Sequence, residues 1–201
     1  MNLYKEYNFN FDIDLLKKEV LEIISNTCNS IDQWALQYSK IPSYFNDTDD
    51  GYGSGQRLEN EATNWNKELE NSYIQECIYK VHPNPSSARI LLLTVGECYP
   101  THVDGYKGRY HIPVFTIPPL DYFVFPKDKV IFSMDPGKAY WTNTHAYHSY
   151  VNGTSAPRIN IIFNDAADEL DETPQQTLEH KKYGKMIKEN KEVINEVHNH
   201  R

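Results

Sequence analysis

The chain has 201 residues, a length that predicts one domain with room for a sizeable apolar core. Aromatic residues make up 13% of the chain, and this content excludes a wholly disordered protein. The 28 acidic and 20 basic residues leave a formal net charge of −8, which argues against binding to the phosphates of nucleic acid.

The cysteines and the N-terminal residues predict the cell compartment. Cys28, Cys77 and Cys98 are an odd number at wide spacing without a C-x-x-C pair, a pattern typical of reduced thiols. No stretch has the apolar length needed to cross a bilayer, and residues 1–10 lack the pattern of a signal peptide. We therefore expect a soluble cytoplasmic protein that does not bind membranes.

Three segments have the apolar periodicity of amphipathic helices. Residues 12–25 place apolar side chains at helical spacing, and Asp12 is suited to cap the first turn. Residues 67–80 follow the same pattern and end before two prolines. A third helix is predicted over about residues 175–198, and its apolar stripe fits either intramolecular packing or a dimer contact. We expect a monomer or a homodimer.

The middle of the chain has the composition of β-strands. From residue 88 to 164, short runs rich in Val, Ile, Phe, Tyr and Thr are broken by Gly and Pro. We predict strands at residues 89–95, 109–116, 122–125, 130–134, 139–142, 147–151 and 158–163. Such short, closely spaced strands predict a compact antiparallel sandwich or barrel, so the expected fold class is mainly β with flanking helices.

The predicted elements divide the single domain into three parts. Residues 1–87 would form a mostly helical support, 88–165 the β core, and 166–201 a C-terminal helix. Within the first part, residues 45–60 contain D-T-D-D-G-Y-G-S-G. We interpret this segment as a flexible surface loop, with a substrate lid as the alternative. Its glycine spacing fits neither phosphate-binding fingerprint.

His102 and Asp104 are the first candidate metal ligands. Side chains two apart in an extended segment point to the same face, so an imidazole and a carboxylate can bind one ion there. Alone, this H-x-D pattern is more often a surface pair or a hydrogen-bonded histidine than a metal site. The pattern becomes informative only with a further ligand elsewhere in the chain.

His148 and Arg158 supply the second half of the pattern. Asn152-Gly153 is a strong hairpin signal, which predicts that residues 147–151 fold back against 158–163. In an assumed register, this hairpin brings Arg158 close to the residue opposite His148.

Two histidines, one carboxylate and open coordination positions describe a non-haem Fe(II) site, and an arginine can bind the carboxylate of an acid in a bidentate pair. Imidazole and carboxylate ligands alone do not choose between iron, zinc and nickel.

Three segments make the chain resemble a known enzyme family. They are H-V-D followed by R-Y-H-I-P, then P-G-K-A-Y-W-T-N-T, and finally H-S-Y-V-N-G-T-S-A-P-R-I-N-I-I-F. The chain resembles the Fe(II)- and 2-oxoglutarate-dependent oxygenases of the aspartyl/asparaginyl β-hydroxylase-like branch over roughly residues 88–165. The resemblance implies a double-stranded β-helix, the jelly-roll fold also found in cupins.

The resemblance also implies roles for individual residues. His102, Asp104 and His148 would be the catalytic iron ligands, and Arg158 would bind the distal carboxylate of 2-oxoglutarate. Arg109 and His111 match an Arg-x-His pair that contacts the other end of the cosubstrate in animal aspartyl hydroxylases. Those enzymes lack the carboxylate ligand, so this chain looks more like ordinary three-ligand members of the family.

Four further assignments have structural alternatives. His111 is equally well explained as a hydrogen-bonded core histidine. Trp141 and Asn143 match a W-x-N stretch that would line the substrate pocket, although barrel packing is the simpler explanation for the indole. His145 competes with His148 as the third ligand. The sequence around His148 favours it, so His145 would be a loop residue or part of the substrate site.

The resemblance implies a hydroxylase that uses Fe(II), O2 and 2-oxoglutarate and releases succinate and CO2, with ascorbate helpful in vitro. Its substrate would be an amino acid or a residue in a peptide or protein. Two alternatives remain open: a non-catalytic jelly-roll module that binds a small acid, and another cupin-type metalloenzyme. Arg158 is the discriminating residue within the sequence, because a simple metal hydrolase has no need of a buried arginine there.

Overall fold

A computed structural model of the chain describes residues 2–26, 33–39 and 62–168. Eleven strands and two α-helices are assigned within these residues. The helices are α1 (Ile13–Ser25) and α2 (Tyr73–Val81). The strands are β1 (Tyr4–Tyr7), β2 (Gln33–Ala35), β3 (Gln37–Tyr38), β4 (Asn64–Trp65), β5 (Pro85–Leu93), β6 (Arg109–Phe115), β7 (Asp121–Phe125), β8 (Val130–Phe132), β9 (Ala139–Thr142), β10 (Ser149–Asn152) and β11 (Arg158–Asp165).

Two antiparallel sheets form the centre of the fold. The larger has the order β1-β9-β6-β11-β5-β2, and the smaller has the order β10-β7-β8. A short pair of strands, β3 and β4, lies apart from both. Side chains from the two sheets meet in an interior cluster that includes Leu93, Phe123, Phe125, Tyr140 and Tyr150. The alternation along each strand of the larger sheet therefore separates an inner face from an outer one.

The two helices pack on the outer face of the larger sheet. Leu16 and Val20 of α1 are fully buried with apolar residues of α2, β5, β6 and β11. Asp12 accepts hydrogen bonds from the amides of Asp14 and Leu15, as its predicted capping role requires. The carboxylate of Glu19 in α1 accepts hydrogen bonds from the first two amides of α2. One helix therefore caps the other and fixes its position on the sheet.

The second predicted helix is shorter than residues 67–80. A 3₁₀ turn covers Lys67–Leu69, and α2 starts only at Tyr73. Asn71 lies in the left-handed region at φ 65°, and Ser72 accepts a hydrogen bond from the amide of Gln75 as the helix N-cap. Both residue types interrupt a helix because their side chains bond locally to the backbone.

The predicted hairpin at Asn152-Gly153 is wrong. Strand β10 pairs with β7 in the smaller sheet, whereas β11 pairs with β5 and β6 in the larger one. The side-chain amide of Asn152 donates to the carbonyls of Leu93, Thr94 and Ala156. The main-chain amide of Gly153 donates to the carbonyl of Leu120. These contacts stabilise the segment in which the chain passes from β10 in the smaller sheet to β11 in the larger one. Asn152 and Gly153 therefore form part of a connection between sheets and not a hairpin turn.

The described residues of the N-terminal part contain strands as well as helices. Strand β1 extends the larger sheet beside β9, and β2 extends it beside β5. The predicted loop at residues 45–60 and the predicted helix at 175–198 lie outside the described residues, as does Cys28. Cys77 and Cys98 are free thiols, one buried and one exposed.

Within the described ranges, neither helix combines the length and the apolar composition that a bilayer-spanning segment needs.

Candidate functional site

Main-chain pairing brings the two predicted halves of the metal site together. His102 and His148 form an isolated antiparallel bridge, in which each amide donates to the other's carbonyl at 2.9 Å. The amide of Asp104 donates to the carbonyl of Thr144 at 2.8 Å, which continues the pairing by one step. The ligand atoms of His102, Asp104 and His148 all lie within 4.8 Å of one another. The three predicted ligands therefore share one site, although the predicted hairpin does not assemble it.

Both imidazoles are held in the orientation that metal binding requires. His102 Nδ1 lies 2.7 Å from the carbonyl oxygen of Pro100, and His148 Nδ1 lies 2.9 Å from that of Ala146. A carbonyl oxygen only accepts, so each Nδ1 carries the proton and donates. Each Nε2 then keeps a lone pair for a metal ion. Carbonyl partners on the second nitrogen are a usual feature of histidine ligands in metalloproteins.

The charges at the site also favour a cation. Burial alone would raise the pKa of Asp104, but the guanidinium of Arg109 and the two imidazoles hold that pKa well below its usual range. Burial lowers the pKa of His148 to about 4, despite the neighbouring carboxylate of Asp104. At neutral pH the site therefore offers an ionised carboxylate and a neutral His148 imidazole, the protonation states of metal ligands.

The three side chains differ in their access to solvent. His148 keeps 6% of its side-chain surface exposed, whereas His102 and Asp104 keep 25% and 17%. An ion or a substrate therefore approaches from the side of His102 and Asp104. The ring of Phe123 stacks on His148 at 5.2 Å and closes the site on the interior side.

Arg158 lies in the same interior, on the inner face of β11. Its side chain is 2% exposed, and its guanidinium stacks on the ring of Tyr150 at 3.3 Å. Its Nε lies 3.6 Å from Asp121 Oδ1, and the Tyr150 hydroxyl donates to that same oxygen at 3.3 Å. Phe123 packs against both His148 and Tyr150, so one aromatic ring contacts both the metal triad and this cluster.

One edge of the Arg158 guanidinium remains available. Nη2 is fully buried and has no hydrogen-bond partner among the described residues. Leaving a buried charged donor unpaired costs about 1–3 kcal/mol or more, so such an atom fits an anionic ligand. Asp121 neutralises Arg158 only from the Nε side. The arrangement therefore suits a small acid whose carboxylate approaches Nη2.

His111 lies between the two clusters, in a closed network of hydrogen bonds. Its Nε2 lies 3.0 Å from Thr142 Oγ1, and the Asn160 amide nitrogen lies 3.5 Å from its Nδ1. Burial, with the nearby cations of Arg158 and Arg109, lowers the pKa of His111 well below its usual value. This neutral ring has the contacts of a hydrogen-bonded core histidine. The structure does not test the predicted contact with the cosubstrate.

Arg109 contacts the metal triad directly. Its Nη2 lies 3.3 Å from Asp104 Oδ2, and its Nε donates to Asn164 Oδ1 at 3.2 Å. In the described part of the chain this arginine therefore bridges a predicted metal ligand and β11. Its predicted role at the cosubstrate remains a prediction.

The three residues predicted for the substrate pocket have mainly structural contacts. The indole of Trp141 covers Gly108 so closely that a Cβ there would lie 2.2 Å from the ring. Thr142 faces His111, so its neighbour Trp141 points to the opposite, outer face of the sheet. Asn143 Oδ1 accepts a hydrogen bond from the amide of the exposed His145 and supports the turn before His148. Binding of substrate by these residues remains a prediction.

Sequence reasoning missed four polar residues of the interior: Asp121, Tyr150, Asn160 and Asn164. Two signals were present in the sequence. D-Y-F-V-F opens an apolar strand with a carboxylate, and R-I-N-I-I-F-N places Arg158 and Asn160 two apart on one face. A charge or an amide at an inward position of a strand is expensive unless it is paired or functional. Which partner it meets depends on the opposite sheet.

No protein-family model matches this sequence, and no curated protein matches it at a significant level. The viral collagen prolyl hydroxylase of Paramecium Bursaria Chlorella virus-1 is similar in structure, with a TM-score of 0.52 at 10% identity over 81% of this chain and 90% of that one. A prolyl-4-hydroxylase of Pseudomonas putida has a TM-score of 0.45 at 12% identity, covering 82% and 94%. A non-haem α-ketoglutarate-dependent epimerase of nogalamycin biosynthesis has 0.48 at 13%, covering 86% and 82%.

The likeness to the viral enzyme shows the fold. The protein has a double-stranded β-helix, or jelly-roll, core with flanking helices, and the predicted fold class is confirmed. An oxidoreductase of the 2OG-Fe(II) oxygenase family from Burkholderia pseudomallei has a TM-score of 0.38 at 12% identity, over 52% of this chain and 55% of that one. Neither the two prolyl hydroxylases nor the epimerase is an aspartyl or asparaginyl hydroxylase, so that branch remains a prediction.

Proposed function

We propose that this protein is an Fe(II)- and 2-oxoglutarate-dependent oxygenase that hydroxylates an amino acid or a residue in a peptide or protein. The single observation that carries the proposal is the shared interior of two sites. One is a His-Asp-His group whose Nε2 atoms are available to a metal ion, and the other is a buried arginine whose Nη2 has no hydrogen-bond partner among the described residues. A metal ion together with a dicarboxylic acid satisfies both sites.

The residues present fit both groups. His102, Asp104 and His148 would hold Fe(II), because two imidazoles and one carboxylate leave coordination positions open for further ligands. Arg158 would bind the distal carboxylate of 2-oxoglutarate through Nη2. When bound, iron would supply the activation of O2 that couples oxidation of 2-oxoglutarate to succinate and CO2 with insertion of one oxygen atom into the substrate.

The chain's own side chains orient these groups and exclude water. Pro100 and Ala146 carbonyls fix the two imidazoles, so the lone pairs point to one place. Tyr150 holds the guanidinium of Arg158 by stacking, and burial raises the pKa of its hydroxyl, which stays protonated and donates to Asp121. Phe123 contacts both His148 of the metal triad and Tyr150, and it contributes apolar surface to the interior between them.

The aspartyl/asparaginyl β-hydroxylase-like branch is part of this proposal, and the sequence motifs support it. H-V-D, R-Y-H-I-P and H-S-Y-V-N-G-T-S-A-P-R contain the metal triad, Arg109, His111, Tyr150 and Arg158. We expect a small-molecule or peptide substrate and no nucleic acid, since the formal net charge is −8.

The test is turnover with Fe(II), ascorbate and 2-oxoglutarate, with succinate measured by NMR. The wild-type protein should form succinate slowly without substrate, and His148→Ala should abolish this. Arg158→Gln should mainly raise the KM for 2-oxoglutarate, by about 10-fold or more if one charge-assisted contact is lost. Asp128→Asn, which changes an exposed carboxylate away from the triad, is the matched control and should behave as wild type.

The alternatives give different results. A non-catalytic module for small acids would bind 2-oxoglutarate in calorimetry without consuming it. Another cupin-type metalloenzyme would bind metal but not 2-oxoglutarate. If protein loaded with Mn(II) shows no binding of 2-oxoglutarate, the proposal fails. The substrate itself can be sought by screening amino acids and a peptide pool for a mass gain of one oxygen.

A further inference from the structure

Arg109 is held at two edges, by Asp104 in the loop before β6 and by Asn164 in β11. Its Nη2 lies 3.3 Å from Asp104 Oδ2, and its Nε donates to Asn164 Oδ1 at 3.2 Å. The hydroxyl of Thr142 donates to the main-chain carbonyl of Arg109 at 3.4 Å. A planar guanidinium with two of its edges engaged has little rotational freedom. A hydrogen bond from Arg109 to Asn164 and an ion pair from Arg109 to Asp104 therefore connect β11 to the carboxylate.

The contact with Arg109 leaves both oxygens of Asp104 close to an imidazole. Oδ2 lies 3.3 Å from Arg109 Nη2 and 4.0 Å from His148 Nε2, whereas Oδ1 lies 3.5 Å from His102 Nε2. Asp104 stands in a loop between residues 93 and 109, so no strand fixes its side chain. A carboxylate on a short side chain can rotate freely there unless a partner stops it. Arg109 is such a partner among the described residues.

We infer that Arg109 is a positioning residue, which acts through Asp104 to set the orientation of the carboxylate toward the metal ion. This inference rests on the proposed function for the identity of the metal triad. It departs from the cosubstrate role that the sequence resemblance implies, because a guanidinium already occupied by Asp104 and Asn164 is poorly placed to bind a second acid. Outer-shell partners of this kind typically contribute about 10- to 100-fold to metal affinity.

A purely electrostatic role for Arg109 predicts the opposite change in metal affinity when the arginine is removed, and this difference makes the inference testable. A guanidinium that only neutralised Asp104 would compete with the incoming cation and repel it. Removal of such an arginine would strengthen metal binding. Removal of a positioning arginine weakens it, because the carboxylate then has to be ordered when the metal ion binds.

The experiment is calorimetric titration of the metal-free protein with Co(II), in the absence of 2-oxoglutarate. Arg109→Gln should weaken Co(II) binding about 10- to 100-fold. Arg109→Lys keeps the charge without the fork, so it should recover only part of that loss. Asn164→Ala removes the support of Arg109 and should produce a smaller loss of the same sign. Lys107→Gln removes an exposed cation two residues away and is the matched control for charge.

Two further measurements separate positioning from other roles. The visible absorption spectrum of bound Co(II) should change in Arg109→Gln, since the carboxylate contributes differently to coordination. A purely structural role would instead lower the Tm of the metal-free protein and leave that spectrum as in wild type. At saturating metal, the KM for 2-oxoglutarate should change little. If the Arg109 variants do not fold, Asn164→Ala carries the test.

Unchanged or tighter Co(II) binding in Arg109→Gln would overturn the inference, as would a loss confined to 2-oxoglutarate affinity. The titration needs neither cosubstrate nor turnover, so it separates this inference from the proposed function. A wild-type protein that binds no metal contradicts both. A wild-type protein that binds Co(II) as tightly as its Arg109→Gln variant contradicts only the positioning role.

Discussion

The buried pair of Asp121 and Arg158 allows a quantitative prediction. Asp121 is 1% exposed, and its Oδ1 lies 3.6 Å from Nε of Arg158, which is 2% exposed. Asp121→Asn keeps the shape of the side chain but removes the charge that balances the guanidinium. Breaking one partner of a buried ion pair costs about 3–5 kcal/mol, because the other charge is left uncompensated. The long Nε–Oδ1 distance and the stacking on Tyr150 place the expected loss at the lower end, about 3 kcal/mol.

The assay is urea unfolding of the metal-free protein followed by circular dichroism. Asp121→Asn should lower the free energy of unfolding by about 3 kcal/mol, whereas the exposed Asp128→Asn should change it by less than about 0.5 kcal/mol. Arg158→Met combined with Asp121→Asn removes both charges and should recover part of the loss. A loss below about 1 kcal/mol in the single variant would refute the reasoning, as would strict additivity in the double variant.

Two other predictions concern the helices and the buried histidine. Glu19→Ala should lower the free energy of unfolding by about 1–2 kcal/mol, because two amides at the start of α2 lose their acceptor. In the same urea titration, Glu22→Ala on the exposed side of α1 should have little effect. The pKa of His111 is lowered in the folded protein, so below about pH 6.5 only the unfolded state takes up that proton. The free energy of unfolding should therefore decrease by about 1.4 kcal/mol for each pH unit that the pH is lowered, as the contribution of this residue. In the metal-free protein, His111→Gln should lower by one the number of protons taken up on unfolding between pH 6 and 5, as measured from the slope of the unfolding free energy against pH. An unchanged slope would contradict a neutral His111.

Much of the fold follows from local sequence. Short runs of β-branched and aromatic residues, broken by Gly and Pro, predicted most strands of the two sheets, and β9 at Ala139–Thr142 has the predicted bounds. Asp12 and the apolar spacing behind it predicted α1. These elements are predictable because the side-chain period of a strand or helix and the chemistry of a cap act within a few residues. The two polar strands β1 and β2 lie at the edges of the sheet and carry no such period.

The candidate site was predictable in its ligands and not in its assembly. His102, Asp104 and His148 are recognisable by residue type and spacing, and so is Arg158 by its position at the start of a strand. The hairpin expected to join His148 to Arg158 does not exist, because Asn152 bonds to carbonyls of the other sheet. A turn signal states that the chain can bend at a point, but it does not state which strand becomes the neighbour.

The sequence by itself determined the mainly β class, the first helix and the set of side chains able to bind a metal ion and an acid. Only the tertiary structure decided how those side chains meet. The main-chain bridge between His102 and His148 and the burial of Arg158 against Asp121 join residues far apart in the chain. Such contacts depend on how the inner faces of the two sheets pack against each other. Local sequence does not specify which sheet a strand will join.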